Sequence, residues 1–204
     1  MKKYISMLCC LIILYSCNNT INTADAKLVS KDSSEHKKPT EQSAAQSIFI
    51  VADTFKTQHN KDVTLTSFAG KPTVVGMIFT NCGYACPRLT SDMKGIAEKL
   101  QPNREKVNFV LISFDTERDT PAQLVKFAKK MELDNNWVLL HGSNVAVRTL
   151  SVLLNVQFEK DAEGNFSHSN LISVLDKNGV LVYQKEGLEE DHKETVDKIN
   201  ALLK

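Results

Sequence analysis

Two thiols four residues apart, Cys82 and Cys86, lie in the segment Thr80-Asn81-Cys82-Gly83-Tyr84-Ala85-Cys86-Pro87. The remaining cysteines, Cys9, Cys10 and Cys17, all sit near the start of the chain. A thiol pair at this spacing can hold a soft metal ion, cycle through a disulfide, or form an inert staple. Closing so short a loop gains little, which argues against the staple. The spacing is one residue longer than the Cys-x-x-Cys of common redox motifs. The longer loop admits an ion between the sulfurs more easily, and it does not forbid a disulfide.

The flanking residues say how the pair is positioned. Val74-Val75-Gly76-Met77-Ile78-Phe79 has the apolar, branched and aromatic character of a buried strand. Leu89, Met93, Ile96, Ala97 and Leu100 recur at helical spacing, and Pro87 suits a first helical turn. The cysteines are therefore expected in a strand-to-helix loop, with Cys86 at or just before the first turn. The positive end of a helix favours thiolate, and residues at i and i+4 share a face, so both sulfurs can point at one guest.

Beyond this loop the pattern alternates. Ile48–Val51 and Asp53–Thr57 read as short strands, followed by Val63-Thr64-Leu65 and a turn over Ser67–Pro72. Val107–Phe114 is a second strongly apolar strand and Trp137–Leu140 a third. Helices are expected over about 121–132, after Asp119-Thr120-Pro121, and over about 145–154. Leu171–Asp176 and Val180–Tyr183 flank an Asn178-Gly179 turn signal and read as a hairpin. A last helix is expected over about 189–203, on Val196, Ile199, Leu202 and Leu203. Strands alternating with helices, closed by a hairpin and a helix, give an α/β class with a central mixed sheet covered on both faces.

The first residues carry a different signal. Lys2 and Lys3 precede the short apolar stretch Tyr4–Tyr15, which is too short to span a bilayer. Leu14-Tyr15-Ser16-Cys17 resembles a bacterial lipobox, so residues 1–16 read as a lipoprotein signal peptide and Cys17 as the lipidated residue. Residues 17–47 are rich in Asn, Thr, Ser, Lys and Glu and read as a disordered tether. The folded domain is expected over 48–204. Loss of the leader removes two lysines and no acid, taking the net charge from +1 to −1. A near-neutral chain makes no electrostatic case for nucleic acid. The expected location is a bacterial cell envelope, with the domain anchored to a membrane by lipid and facing the periplasm or exterior. Thiols oxidise there, so a pair that must stay reduced needs a thiol reductase as partner.

Four stretches carry a family resemblance: Gly70-Lys71-Pro72, Ile78-Phe79-Thr80-x-Cys82-x3-Cys86-Pro87, Ser113-Phe114-Asp115-Thr116-Glu117-Arg118-Asp119-Thr120-Pro121, and Phe166-Ser167-His168-Ser169. From about Phe49 to the C-terminus the chain resembles the SCO/SenC/PrrC family, thioredoxin-fold proteins that bind copper and help assemble cytochrome c oxidase. His141 before Gly142 and the Gly83-Tyr84-Ala85 insert depart from the usual pattern. The resemblance implies a thioredoxin-like fold and copper ligation by Cys82, Cys86 and His168, with Asp115 supporting the site from behind. Two thiolates and an imidazole suit Cu(I), and with a weak added ligand also Cu(II), whereas a closed zinc site typically takes four ligands.

Two functions stand beside each other on this reading. One is a metallochaperone that delivers copper to the binuclear copper centre of a respiratory cytochrome c oxidase, its partner being the copper-bearing subunit or another envelope client. The other is an envelope thiol–disulfide oxidoreductase using Cys82 and Cys86 to keep client cysteines reduced, with Cys82 attacking and Cys86 resolving. The presence of His168, which that chemistry does not need, favours copper. The proline and arginine surroundings of a peroxidatic cysteine are missing. His36, His59 and His192 read as solvated. His141 ends a strand and could approach the site edge. Glu117, Arg118 and Asp119 read as a charged loop, either solvated or a partner-docking edge.

Overall fold

A computed structural model describes residues 46–204 apart from Gly187, Glu189 and Glu190. The leader, Cys17, His36 and almost all of the tether lie outside the described residues. Among the described residues, no helix is long and apolar enough to cross a membrane.

The frame is a seven-stranded sheet. Its strands are β1 (Phe55–Thr57), β2 (Asp62–Val63), β3 (Thr73–Ile78), β4 (Asn108–Ser113), β5 (Trp137–His141), β8 (Leu171–Leu175) and β9 (Leu181–Glu186), in the order β2-β1-β5-β4-β3-β8-β9. A separate two-stranded sheet pairs β6 (Phe158–Lys160) with β7 (Phe166–His168). The centre, β5-β4-β3, is parallel, and the flanking pairs β1–β2, β1–β5, β3–β8 and β8–β9 are antiparallel. The continuous apolar run predicted for β3 is explained by its place. Every residue of β3 is buried, as befits a central strand covered on both faces.

Among the described residues, four α-helices do the covering: α1 (Ala85–Lys99), α2 (Pro121–Lys130), α3 (Asn144–Leu153) and α4 (Lys193–Leu202). Successive side chains of β9 show the two layers, because strand neighbours point to opposite faces. Tyr183 lies under the Lys198 ammonium of α4, whereas Gln184 donates from Nε2 to the carbonyl of Leu154 at the end of α3. On β3, Gly76 is a close-approach position. A Cβ there would lie 2.8 Å from Met93 Sδ of α1 and 3.2 Å from Leu111 of β4. The missing side chain lets α1, which carries Cys86, settle directly on the strand that leads into the cysteine loop.

Three expectations change. Ile48–Ile50 is a 3-10 turn rather than a strand. The Ser47 hydroxyl accepts from the Phe49 N–H and starts the turn, leaving only a single bridge from Ser47 to Val180. The last helix begins at Lys193 instead of about 189. His192, expected in solvent, is only 15% exposed and sits 3.5 Å from Asp92 of α1, closing α4 against α1. The β6–β7 hairpin was not anticipated at all. Its strands are three residues each, too short to show periodicity. The available signal was the turn between them, where Asp161 Oδ1 accepts from Asn165 N–H and Gly164 takes φ +83°.

Candidate metal centre

The site is built where β3 runs out. Ile78 is the last ladder residue, and the chain then turns through Phe79–Tyr84 into α1. Tyr84 caps this helix without a side-chain hydrogen bond, and the first turn carries no acid. A sulfur fills the gap instead. Cys82 Sγ accepts from the Cys86 N–H at 3.3 Å, taking the place a capping oxygen usually has. Cys86 is buried, and its Sγ accepts from the Phe79 N–H at 3.4 Å. Both cysteines are free thiols.

The two thiols differ in acidity. Burial alone would raise the Cys82 thiol, but the N–H groups of Cys86, Tyr84 and Ala85 and the Cys86 side chain hold it below its ordinary value. For Cys86, burial pushes the thiol far above the ordinary range, and the neighbouring Cys82 and Asp119 charges add to that. In the metal-free protein half-buried Cys82 is therefore the more acidic thiol and buried Cys86 the less acidic one.

His168 arrives from the other end of the domain. β7 places its Nε2 3.8 Å from Cys86 Sγ, while its Nδ1 lies 3.1 Å from the Ser169 carbonyl. The ring packs against Phe79 and Phe114, at 6.0 and 5.1 Å between centroids. Phe166, from the same hairpin, stacks into the same cluster, 5.1 Å from Phe79 and 5.0 Å from Phe114. The donor atoms of Cys82, Cys86 and His168 all lie within 4.8 Å of one another. Among the described residues no other Cys, His, Asp or Glu joins this group.

The donor set fits a soft first-row ion. With metal–ligand bonds of about 2.0–2.3 Å, sulfur and nitrogen donors at a trigonal angle would stand about 3.8 Å apart. The Cys86–His168 separation matches that value. Two sulfurs and one imidazole favour a thiophilic ion over a hard one, and three protein donors leave a coordination position for an incoming ligand. The rim is open, with Tyr84 64% exposed between the cysteines and the Arg88 guanidinium stacked 3.7 Å above its ring.

Two acids stand behind the loop, and their roles diverge. Asp115, 1% exposed, is bonded by the Arg118 Nε–H and accepts from the Arg118 backbone N–H. Asp119, equally buried, reaches the cysteine loop itself. It accepts from the Thr80 N–H at 2.8 Å, the Thr80 hydroxyl at 2.5 Å and the Ser113 hydroxyl at 2.6 Å. Sequence reasoning placed Asp119 in a charged loop and missed this. Its position next to Thr120-Pro121 at a helix start suggested only a cap. His141 ends β5 beside Thr54, Lys56, Thr116 and Ser143, outside the cysteine–histidine group. His59 is exposed, as expected.

Comparison with known proteins identifies relatives of this chain. The SCO1/SenC family model matches residues 40–204. The SCO1 protein homologue of Bacillus subtilis (strain 168) is 30% identical over 140 residues, covering 67% of this chain and 72% of that protein. A SCO1/SenC family lipoprotein from Bacillus anthracis str. Ames superimposes with a TM-score of 0.69 at 26% identity, over 74% of this chain and 92% of the other. ScoI of Bradyrhizobium japonicum, solved with copper bound, gives a TM-score of 0.64 at 25% identity, over 74% and 96%. The thioredoxin-like α/β sheet, the Cys82–Cys86–His168 group and a family match running to the last residue lead to one conclusion, that this chain belongs to the SCO1/SenC family.

Proposed function

We propose that this chain is a copper metallochaperone, which takes up copper through Cys82, Cys86 and His168 and passes it to the binuclear copper centre of a respiratory cytochrome c oxidase. The observation that carries the reading is the convergence of two sulfurs and one imidazole within 4.8 Å, from residues 82 positions apart. The copper-bound structure of a relative with the same fold supports it. Binding displaces the thiol protons, so copper takes over the charge balance that protonation provides at buried Cys86. Cys86 is the interior anchor, while half-buried Cys82 and His168 face the rim. A client sulfur or imidazole would enter the open position and replace these outer ligands one at a time.

Cu(I) is the cargo best matched by two thiolates. Lipidation at Cys17 would tether the domain to an envelope membrane, facing the periplasm or exterior, where a thiol reductase keeps the pair loadable. The lipoprotein relative supports the anchor. The unequal acidity of the thiols also favours a second activity. Cys82 thiolate would attack a client disulfide to form a mixed disulfide. Cys86 would then displace the client sulfur, leaving the client with two thiols and this chain with a Cys82–Cys86 disulfide for the reductase to restore.

Anaerobic Cu(I) titration of the reduced protein against a chromophoric chelator tests the site. One tightly held equivalent is expected, weakened at least tenfold in His168→Ala, with disulfide formation intact. Wild-type affinity in His168→Ala would remove the three-ligand site. In cells, Cys82→Ser should leave oxidase without its copper, and a fully metallated oxidase in that strain would eliminate the delivery role.

A further inference from the structure

Among the described residues, the hairpin that carries His168 has no ladder to the main sheet, and β6 and β7 pair only with each other. Something else must hold the imidazole over the sulfurs. The aromatic cluster supplies contact without direction. Directional bonds come from α3, where Arg148 Nη1 donates to the Phe158 carbonyl of β6 at 3.0 Å, and, at the turn end of the hairpin, from the Asp115–Asp119 loop. Arg118 bonds through Nε to buried Asp115 and through Nη2, at 2.5 Å, to the carbonyl of Gly164 in the hairpin turn. Its guanidinium also lies 5.7 Å from the Phe166 ring centre. A second tie runs from Lys160 Nζ to Glu117 Oε2 at 2.6 Å, across the same gap.

We infer that Arg118 is a positioning residue for copper binding, a latch that orders the β6–β7 hairpin and so holds His168 at the two sulfurs. The chemistry suits arginine. Its planar fork presents N–H groups in two directions, so one side chain can bridge a fixed carboxylate and a moving carbonyl. Asp115 is fixed because it is buried, with its backbone N–H bonded to Ser113 Oγ at the end of β4. Arg118 is 39% exposed on its side chain, at the outer edge where the latch can open. Gly164 at φ +83° aims its carbonyl at the guanidinium, and a Cβ there would lie 3.2 Å from Arg118 Nη1. Asp115 thus acts on the site through Arg118 and the hairpin, with no bond to either cysteine among the described residues.

This inference rests on His168 being a copper ligand, so the experiment separates the two. Cu(I) affinity is measured for the wild type, Arg118→Ala, His168→Ala and the double variant, alongside hydrogen–deuterium exchange of the metal-free proteins. Arg118→Ala is expected to bind Cu(I) at least fivefold more weakly. The double variant should be no weaker than His168→Ala, because a latch has nothing left to position once the ligand is gone. Exchange over residues 158–168 should rise while β3 and β4 stay protected. Unchanged exchange in the hairpin overturns the latch whatever copper does. Additive losses in the double variant also overturn it, since Arg118 would then act elsewhere. If His168→Ala binds as wild type does, the ligand assignment fails, and the exchange result alone decides whether Arg118 holds the hairpin. Because Arg118→Ala leaves Asp115 buried without its partner, the neutral pair Asp115→Asn/Arg118→Gln is run beside it. The same hairpin loosening is expected there, and wild-type hairpin protection in that variant refutes the latch.

Discussion

Asp119→Ala should be among the most damaging single changes in this domain. The wild-type carboxylate is 1% exposed and accepts three hydrogen bonds: two from Thr80 at the exit of β3 and one from Ser113 at the end of β4. It therefore staples the ends of the two central strands at the point where the cysteine loop begins. Hydrogen bonds to a charged group contribute roughly 1.5–3 kcal/mol each. The Thr80 donors are only partly buried and recover some bonding from water, whereas the Ser113 hydroxyl is buried. The net loss is then about 3–5 kcal/mol. In a domain of this size each kcal/mol lowers the melting midpoint by roughly 2–4 °C, so a fall of about 6–20 °C is expected. Asp119→Asn keeps one acceptor and the shape but loses the charge, and should fall between the two. The assay is urea unfolding of reduced, metal-free protein, with the slope checked for constancy so that midpoint shifts report stability. An Asp119→Ala protein within 1 kcal/mol of wild type would refute the argument. So would an Asn variant as stable as wild type, because the charge would then add nothing to these bonds.

The acidity of the thiols predicts a pH signature. A thiol raised in the folded state stabilises fully below its unfolded value and loses that contribution as pH rises, because unfolding then releases a proton. The reduced, metal-free protein should lose stability above about pH 8.5, with a slope approaching 1.4 kcal/mol per pH unit, and Cys86→Ser should flatten it. In the same protein iodoacetamide should modify Cys82 with a midpoint below that of a free thiol and leave Cys86 far slower to react; equal rates at both would contradict the asymmetry. Gly76→Ala forces a Cβ to within 2.8 Å of Met93 Sδ and should destabilise by about 1–3 kcal/mol in the same urea assay, a neutral result showing that α1 can lift off β3 freely.

The readable part of this protein was local. The apolar run of β3, the Pro87 start of α1 and the Asn178-Gly179 turn each announce an element, because each depends on residues next to one another in the chain. The cysteine loop was legible for the same reason. What escaped were short pieces stabilised by something distant. The β6–β7 strands pack Phe158 and Phe166 on Phe114 and are bonded by Arg148 at Phe158, Glu117 at Lys160 and Arg118 at Gly164. His192 left solvent because Asp92 faces it from another helix. The two acids of the Asp115–Asp119 stretch could not be told apart in one dimension. Their positions differ by a single helical turn, yet one bonds the cysteine loop and the other bonds Arg118.

By itself, then, the sequence determined the chemistry on offer: two thiols at the mouth of a helix, placed there by a buried strand and a proline. It also pointed to His168 as the third donor, through its resemblance to a known family. Only the tertiary structure decided that the imidazole meets Cys86 at 3.8 Å, that burial raises the pKa of one thiol while backbone N–H groups lower that of the other, and that a guanidinium bridges Asp115 and the hairpin turn. The reason is physical. Residue type and neighbouring spacing set what a side chain can do. Burial and contacts between remote segments set its charge state and its partners, and those exist only once the sheet has closed.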